Sequence, residues 1–218
     1  MRNSGFYFAE VNPKIKENEN NSVDILYDIK TFEKSIIEKI NFIGNKNIKD
    51  KKLRNVIVSE EGRFWKFLTR NKYLDVNRIA LDERLLTNFY KNKGYYEVKV
   101  NNSYVNFLNN ESFELIFDIA PGKKYFFNKL ELVLPIDYEK ENFLKVNKIL
   151  ESLSGKVFSN VSMEKVIDEI DKIALQKQYQ FINAEVIEKF NDNKIDFIFK
   201  VQESEKFYVE RINIFGNS

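Results

Sequence analysis

The sequence predicts an α+β chain made of copies of one β-α-α-β-β unit, and three observations carry that reading. A strand pattern beginning at Ile37 returns at Phe127 and at Val209, with spacings of 90 and 82 residues. A second alternating strand, beginning at Val23, returns at Phe113 and Ile195 with spacings of 90 and 82. Between these recurrences lie two stretches whose apolar residues follow the helical period. Features that recur in one order at a shared spacing are the mark of a repeat array.

The opening strand of the unit reads Ile37-Glu38-Lys39-Ile40-Asn41-Phe42-Ile43-Gly44-Asn45, and its last copy, Val209 to Asn217, is nearly the same sequence. A first helix follows. Asn47 is placed to cap it, and Ile48, Leu53, Val56 and Ile57 give it an apolar side. The β-branched run Val56-Ile57-Val58 weakens its end. A second helix starts near Asp75 to Asn77, with Leu81, Leu85 and Phe89 at every fourth position beside Leu86 and Tyr90. Gly94 stands beyond its end, where a left-handed residue is favoured. The next copy has Leu144, Ile149, Leu150 and Leu153, then Gly155, then Val166, Ile170, Ile173 and Ala174 behind a cap at Ser162 or Asn160.

A Gly-aromatic strand closes on each helix pair: Gly5 to Val11, Gly94 to Val100, and Gln180 to Val186, where Gln180 replaces the glycine. Its alternation sends Tyr96, Val98 and Val100 inward and Tyr95, Glu97 and Lys99 outward, and the same phase turns Phe6 and Phe181 outward. In the last strand Phe113, Leu115, Phe117 and Ile119 share one face, which should receive the helices; Ile195, Phe197, Phe199 and Val201 repeat it, as do Val23, Ile25, Tyr27 and Ile29. The opposite face is charged, with one central apolar residue: Leu26, Ile116 or Ile198. That residue makes either a cross-strand contact or a shallow groove.

Two complete units are expected, 33–121 and 122–204, with Pro121-Gly122 and Glu203-Ser204-Glu205 at the junctions. Residues 1–32 hold only the last two strands of a preceding unit, and 205–218 only the first strand of a following one. A lone two-stranded hairpin is marginal in water, so 1–32 is expected to be poorly ordered or docked on a neighbour.

Composition narrows the chemistry. With 43% hydrophobic and 15% aromatic residues, the chain can bury a core. It has no Cys and no His, which excludes disulfides, thiolate nucleophiles, histidine bases and their metal sites. Asp168 with Asp171, or Asp192 with Asp196, could in principle act as paired carboxylates, but the first pair sits beside Glu169 and Lys172 on a charged helix face. With no glycine-rich phosphate loop either, no enzymatic activity, cofactor or metal is expected. A nucleic-acid-binding α+β module is the alternative, resting on the basic run Lys49 to Arg54 and on Arg70 and Lys72. The net charge is only +2 and no Gly-x-x-Gly clamp is present, so nucleic acid is not an expected partner.

The unit order, the strand ending Ile40-Asn41-Phe42-Ile43-Gly44-Asn45, and the segment Phe89-Tyr90-Lys91-Asn92-Lys93-Gly94-Tyr95 resemble POTRA (polypeptide-transport-associated) domains. Phe64-Trp65-Lys66-Phe67-Leu68, then Lys72-Tyr73, Asp82 and Leu85-Leu86, are similar to the third domain of the arrays that precede an outer-membrane assembly barrel. Residues 122–204 would then be the fourth domain, 1–32 the tail of the second and 205–218 the start of the fifth. The resemblance implies a three-stranded mixed sheet covered on one face by two antiparallel helices, with the last strand in the middle and the Gly-aromatic strand at an edge. It further implies a location on the periplasmic side of the outer membrane. Unfolded outer-membrane proteins, accessory lipoproteins and the chain's own C-terminal barrel are the implied partners, with the membrane reached only through that barrel. Arrays of other translocation proteins, of the TamA-like or two-partner-secretion kind, are the alternative within the family.

An exposed edge can take an extended peptide as an added strand. The candidate edges for this are 95–104 and 181–188, with Tyr95, Glu97 and Lys99 singled out in one unit and Phe181, Asn183 and Glu185 in the next. Phe64, Trp65 and Phe67 lie in an insertion, Glu60 to Asn77, that the second unit lacks. They form either a lid on their own domain or a contact to a neighbouring domain or partner.

Overall fold

A computed structural model describes residues 9–18, 22–31, 34–44, 47–62, 70–108, 112–179 and 182–203. Its elements are β1 (Glu10–Glu17), β2 (Val23–Lys30), β3 (Ile36–Ile43), α1 (Asp50–Arg54), α2 (Val76–Lys91), β4 (Lys99–Phe107), β5 (Ser112–Ala120) and β6 (Phe126–Val133). A 3-10 turn (Lys140–Phe143) then leads into α3 (Leu144–Leu153), α4 (Asn160–Gln176), β7 (Ile182–Asn191) and β8 (Lys194–Glu203). This is the expected β-α-α-β-β order, twice. No described helix is long and apolar enough to cross a membrane. The chain divides into two compact units, Met1–Lys91 with Glu97–Gly122, and Asn92–Tyr96 with Lys123–Ser218.

In the first unit the sheet order is β3-β5-β4, with β3 parallel and β4 antiparallel to the central β5. Phe113, Leu115, Phe117 and Ile119 are all buried on one face of β5. They meet Ile37, Ile40 and Phe42 of β3, and Phe42 stacks on Phe117 with ring centres 5.7 Å apart. Leu53 of α1 and Leu86 and Tyr90 of α2 complete this core. The buried line of α2 is Asp82, Leu86 and Tyr90, one position on from the expected Leu81, Leu85 and Phe89, which are only half-buried. On the outer face Ile116 lies between Asn41 and Tyr104 across the strands and is also buried, so it makes a cross-strand contact rather than a groove.

The second unit repeats this as β6-β8-β7, again with a parallel and an antiparallel neighbour of the central strand. Ile195, Phe197, Phe199 and Val201 of β8 pack against Phe127, Val146, Leu150, Val166 and Ile170. Residues 92–96 belong to this unit. The Tyr96 ring packs edge-on against Phe158 at 4.9 Å and Phe190 at 5.4 Å, and its hydroxyl donates to Glu188.

Several local expectations differ from the structure. At Gly94 the Gly-aromatic motif is a turn, not the start of a strand. Gly94 has φ +96°, the Tyr96 N–H bonds back to the Gly94 carbonyl, and β4 begins only at Lys99. Helix α1 stops at Arg54, so Val56 and Ile57 lie outside it, and Lys49 rather than Asn47 precedes its first residue. Neither Ser162 nor Asn160 caps α4; its Val161 N–H donates to the Asn92 side chain at 3.0 Å. Asp75 does cap α2, accepting the Asn77 and Arg78 N–H groups at 2.9 and 3.1 Å.

Strands β1 and β2 pair as an antiparallel hairpin. The register puts Val11, Ile15, Ile25, Tyr27 and Ile29 on one face. All of these side chains are exposed, and no described helix covers that face.

Candidate peptide-pairing edges

A three-stranded sheet leaves two edge strands, and alternate residues along each turn their N–H and C=O groups away from the sheet. In the first unit those strands are β3 and β4.

The chain closes the β3 edge itself. At Ile37 the N–H donates to the Lys72 carbonyl at 2.8 Å and the carbonyl accepts from the Gly62 N–H at 2.7 Å. At Ile40 side chains take over. The N–H donates to Glu61 Oε1 at 3.1 Å, and Arg54 Nη2 donates to the carbonyl at 2.7 Å. Arg54 Nε lies 3.2 Å from the same Glu61 oxygen, an ion pair in which the N–H is not aligned for a hydrogen bond. An open groove of about 720 Å³ lies beside this pair, lined by Ile40, Lys51, Arg54, Asn55, Ile57 and Ser59 among others. The second unit closes the matching point of β6 with backbone alone. Phe127 N–H donates to the Lys156 carbonyl at 2.8 Å and Gly155 N–H to the Phe127 carbonyl at 2.9 Å. Gly62 thus corresponds to Gly155 and Lys72 to Lys156, which places the first unit's insertion between residues 62 and 72.

The β4 edge is different. It pairs with β5 on one side only. Lys99 is its single charged residue, and Val100 to Leu108 carry no charge in a chain that is 31% charged. A bulge falls between Val100 and Asn102. Tyr104 is 41% exposed on the outer face. Phe107 is 62% exposed on the helix side, resting on Phe113 with ring centres 4.8 Å apart. The corresponding edge β7 carries Glu185, Glu188 and Lys189, and the hairpin edge β1 carries Pro13, Lys14 and Lys16. Charges and proline are the ordinary guards of an edge strand; β4 has the fewest.

Of the residues singled out in the sequence, Lys99 opens β4, while Tyr95 and Glu97 lie in the turn before it. Asn183 and Glu185 lie on β7, opposite Gln202 and Lys200, and Gln202 donates to Glu185. Phe181, Phe64, Trp65 and Phe67 lie outside the described residues. The structure therefore gathers no single site from these residues. It adds Tyr104, which ends the candidate edge 95–104 but was not singled out there, and Phe107, Arg54 and Glu61, which sequence reading missed. The signal for the first two was the uncharged run in a heavily charged chain; for the last two there was none.

Two carboxylates have displaced titrations. Asp82 is buried, and desolvation raises its pKa above the ordinary 3.8, although Ser59 and the Val58 and Ser59 N–H groups pull the other way. Asp196 is lowered, first by the Lys129 N–H at 3.0 Å and then by the Asn128 amide at 2.6 Å. Both carboxylates hold strand and loop geometry. Among the described residues no cluster of carboxylates is placed to hold a metal ion.

Comparison with known proteins fits this architecture. The POTRA family model, described as a surface antigen variable number repeat, matches residues 35–122. The outer membrane protein assembly factor BamA of Neisseria meningitidis serogroup B is 24% identical over 212 residues, 96% of this chain and 26% of that protein. BamA of Neorickettsia risticii is 22% identical over 206 residues, 92% of this chain and 27% of that protein. The chain thus spans about a quarter of the length of these relatives. Among solved structures, POTRA domains 3–5 of Haemophilus influenzae BamA align over 92% of this chain and 75% of theirs, with a TM-score of 0.52 at 16% identity. BamA of Haemophilus ducreyi lacking POTRA domains 1–3 aligns over 78% of this chain and 29% of its own, with a TM-score of 0.54 at 15% identity. Two mixed three-stranded sheets with paired helices, a family match on the first of them, and relatives along nearly the whole chain lead to one conclusion: residues 35–122 match the POTRA family, and the chain as a whole is similar to BamA and has the fold of BamA POTRA domains.

Proposed function

We propose that this chain is part of the periplasmic POTRA array of an outer-membrane protein assembly factor. It receives segments of unfolded outer-membrane proteins as added strands on the β4 edge and passes them toward a membrane barrel. In this reading 33–121 and 122–204 act as the third and fourth domains, the β1–β2 hairpin is the tail of the second, and 205–218 begins the fifth. Accessory lipoproteins dock on the same array. The array does no chemistry of its own.

The observation that supports this most is the state of β4. It is an edge strand, uncharged from Val100 to Leu108, in a sheet whose other edge is closed. Backbone pairing demands little of the partner's sequence, which suits a surface that must accept many clients.

The test is an NMR titration of the whole chain with an uncharged peptide from the C-terminal strand of an outer-membrane protein. Saturable shifts concentrated in 99–107 are expected. No shift at millimolar peptide, or shifts confined to α3 and α4, would overturn the strand-addition reading.

A further inference from the structure

We propose that Arg54 and Glu61 together imitate a neighbouring strand and plug the β3 edge, so that this unit can add a partner strand only at β4. The proposal rests on the strand-addition reading above and names the residues that give it its selectivity.

Strand β3 ends in Ile40-Asn41-Phe42-Ile43, an uncharged stretch that is apolar but for Asn41. Left open, such an edge would compete with β4 for any extended segment. The backbone guard at Ile37 is common to both units and ends there. Beyond it, the next groups bonded on the outer side of β3 are those of Ile40. The Ile40 N–H meets a carboxylate oxygen and its carbonyl meets a guanidinium, at 3.1 and 2.7 Å. An added strand would present one acceptor and one donor at this point; the ion pair presents the same two. Each member also holds the other, through the 3.2 Å approach of Nε to Oε1. Hydrogen bonds from ionised groups are stronger than peptide–peptide bonds, so an incoming backbone exchanges a better contact for a poorer one.

Among the described residues, bulk does not block this edge. The groove of about 720 Å³ beside Ile40 opens to solvent and leaves room for another chain. The pair also belongs to this unit alone. The residue before Gly155 in the second unit is Ser154, whose hydroxyl donates to the Asn128 carbonyl at 2.8 Å. The plug is thus found in the unit that also carries the least guarded partner edge.

The experiment compares the whole chain with its Arg54→Ala/Glu61→Ala variant, using the same outer-membrane strand peptide. The unaltered chain should bind one peptide, with shifts in 99–107. The variant should bind two, with new shifts in 36–43 and at least tenfold faster hydrogen exchange at the Ile40 amide before peptide is added. A folded variant that still binds one peptide at β4, with no response in 36–43, would overturn the plug. If neither protein binds peptide, strand addition itself fails. The plug is then judged by sedimentation, where concentration-dependent association of the variant through 36–43 supports it and a monomer at all concentrations refutes it. Glu61→Gln keeps the acceptor oxygen and should keep the edge closed; Glu61→Ala alone serves where the double variant does not fold.

Discussion

The carboxylate of Asp82, midway along α2, accepts the backbone N–H of Val58 at 2.6 Å, and its second oxygen accepts the Ser59 N–H at 3.2 Å. This contact explains why α1 ends early. The residues that would have extended it are turned instead toward α2, where a buried side chain serves their backbone. Asp82→Ala leaves two largely buried N–H groups without a partner and should cost roughly 2–4 kcal/mol. Chemical denaturation of the first unit checks this; a loss under about 0.5 kcal/mol would mean that water replaces the carboxylate.

The pH dependence at Asp82 has a definite sign. Its folded pKa lies above the ordinary 3.8, so the native state holds the proton more tightly than the unfolded chain does. The contribution is fully present below the unfolded value and is lost as pH rises through the folded one. The stability of the unaltered protein relative to Asp82→Asn should therefore fall from acid toward neutral pH. Asp196 has the opposite sign, because its folded pKa is lowered. Relative to Asp196→Asn, its contribution is present above the unfolded pKa and is lost as pH falls through the folded one. Denaturation midpoints across pH 2–7 (a range of roughly five units around the carboxylate values) separate the two; slopes of equal sign would contradict both assignments.

Gly94 is required by space as well as by backbone conformation. At φ +96° an L side chain is strained, and a Cβ would stand 2.6 Å from Val157 Cγ1 and 2.9 Å from Lys124 Cγ. Both neighbours belong to the second unit. Gly94→Ala should therefore lower the melting temperature of the second unit, by the equivalent of about 1–3 kcal/mol. The informative comparison is unit-resolved hydrogen exchange. Destabilisation confined to β3–β5 would show that 92–96 is not part of the second unit's packing.

Asn92 contributes to that unit by another route. Its Oδ1 accepts the Val161 N–H at 3.0 Å and the Ser159 hydroxyl at 3.1 Å, supplying the cap that Ser159, Asn160 and Ser162 do not. Asn92→Ala should cost about 1 kcal/mol, and Asn92→Asp should keep or strengthen the cap through the helix dipole. Thermal melts of the two variants decide it; equal losses would argue against a capping role.

The central strands were legible because alternation alone specifies them. Phe113 to Ile119 and Ile195 to Val201 each bury one complete face, and no other secondary structure fits that pattern. The Gly94-Tyr95-Tyr96 motif misled because an aromatic turn and a strand start look alike. Only the positive φ and the ring contacts of Tyr96 with Phe158 and Phe190 distinguish them. The Asn92 cap acts across 69 residues, and the Glu61 bond to Ile40 depends on where β3 lies in the sheet. Neither leaves a local trace. The strand after the Gly-aromatic motif lies at an edge of the sheet but begins only at Lys99, so the exposed aromatic on its outer face is Tyr104 and not Tyr95.

Tyr104 offers the most direct way to close that edge. It is exposed on the outer face of β4 opposite Ile116. A lysine there would place a charge in the middle of an uncharged strand, as many proteins do to keep edges unpaired. The side chain is 41% exposed at an edge, so Tyr104→Lys should leave the fold intact, with a stability loss of about 1 kcal/mol or less from the lost cross-strand contact. Peptide affinity at 99–107 should fall at least tenfold. Ile187→Lys, the matching change on β7 opposite Ile198, should leave that affinity unchanged. Equal losses in both variants would show that β4 and β7 share the binding, and no loss in either would place it away from both edges.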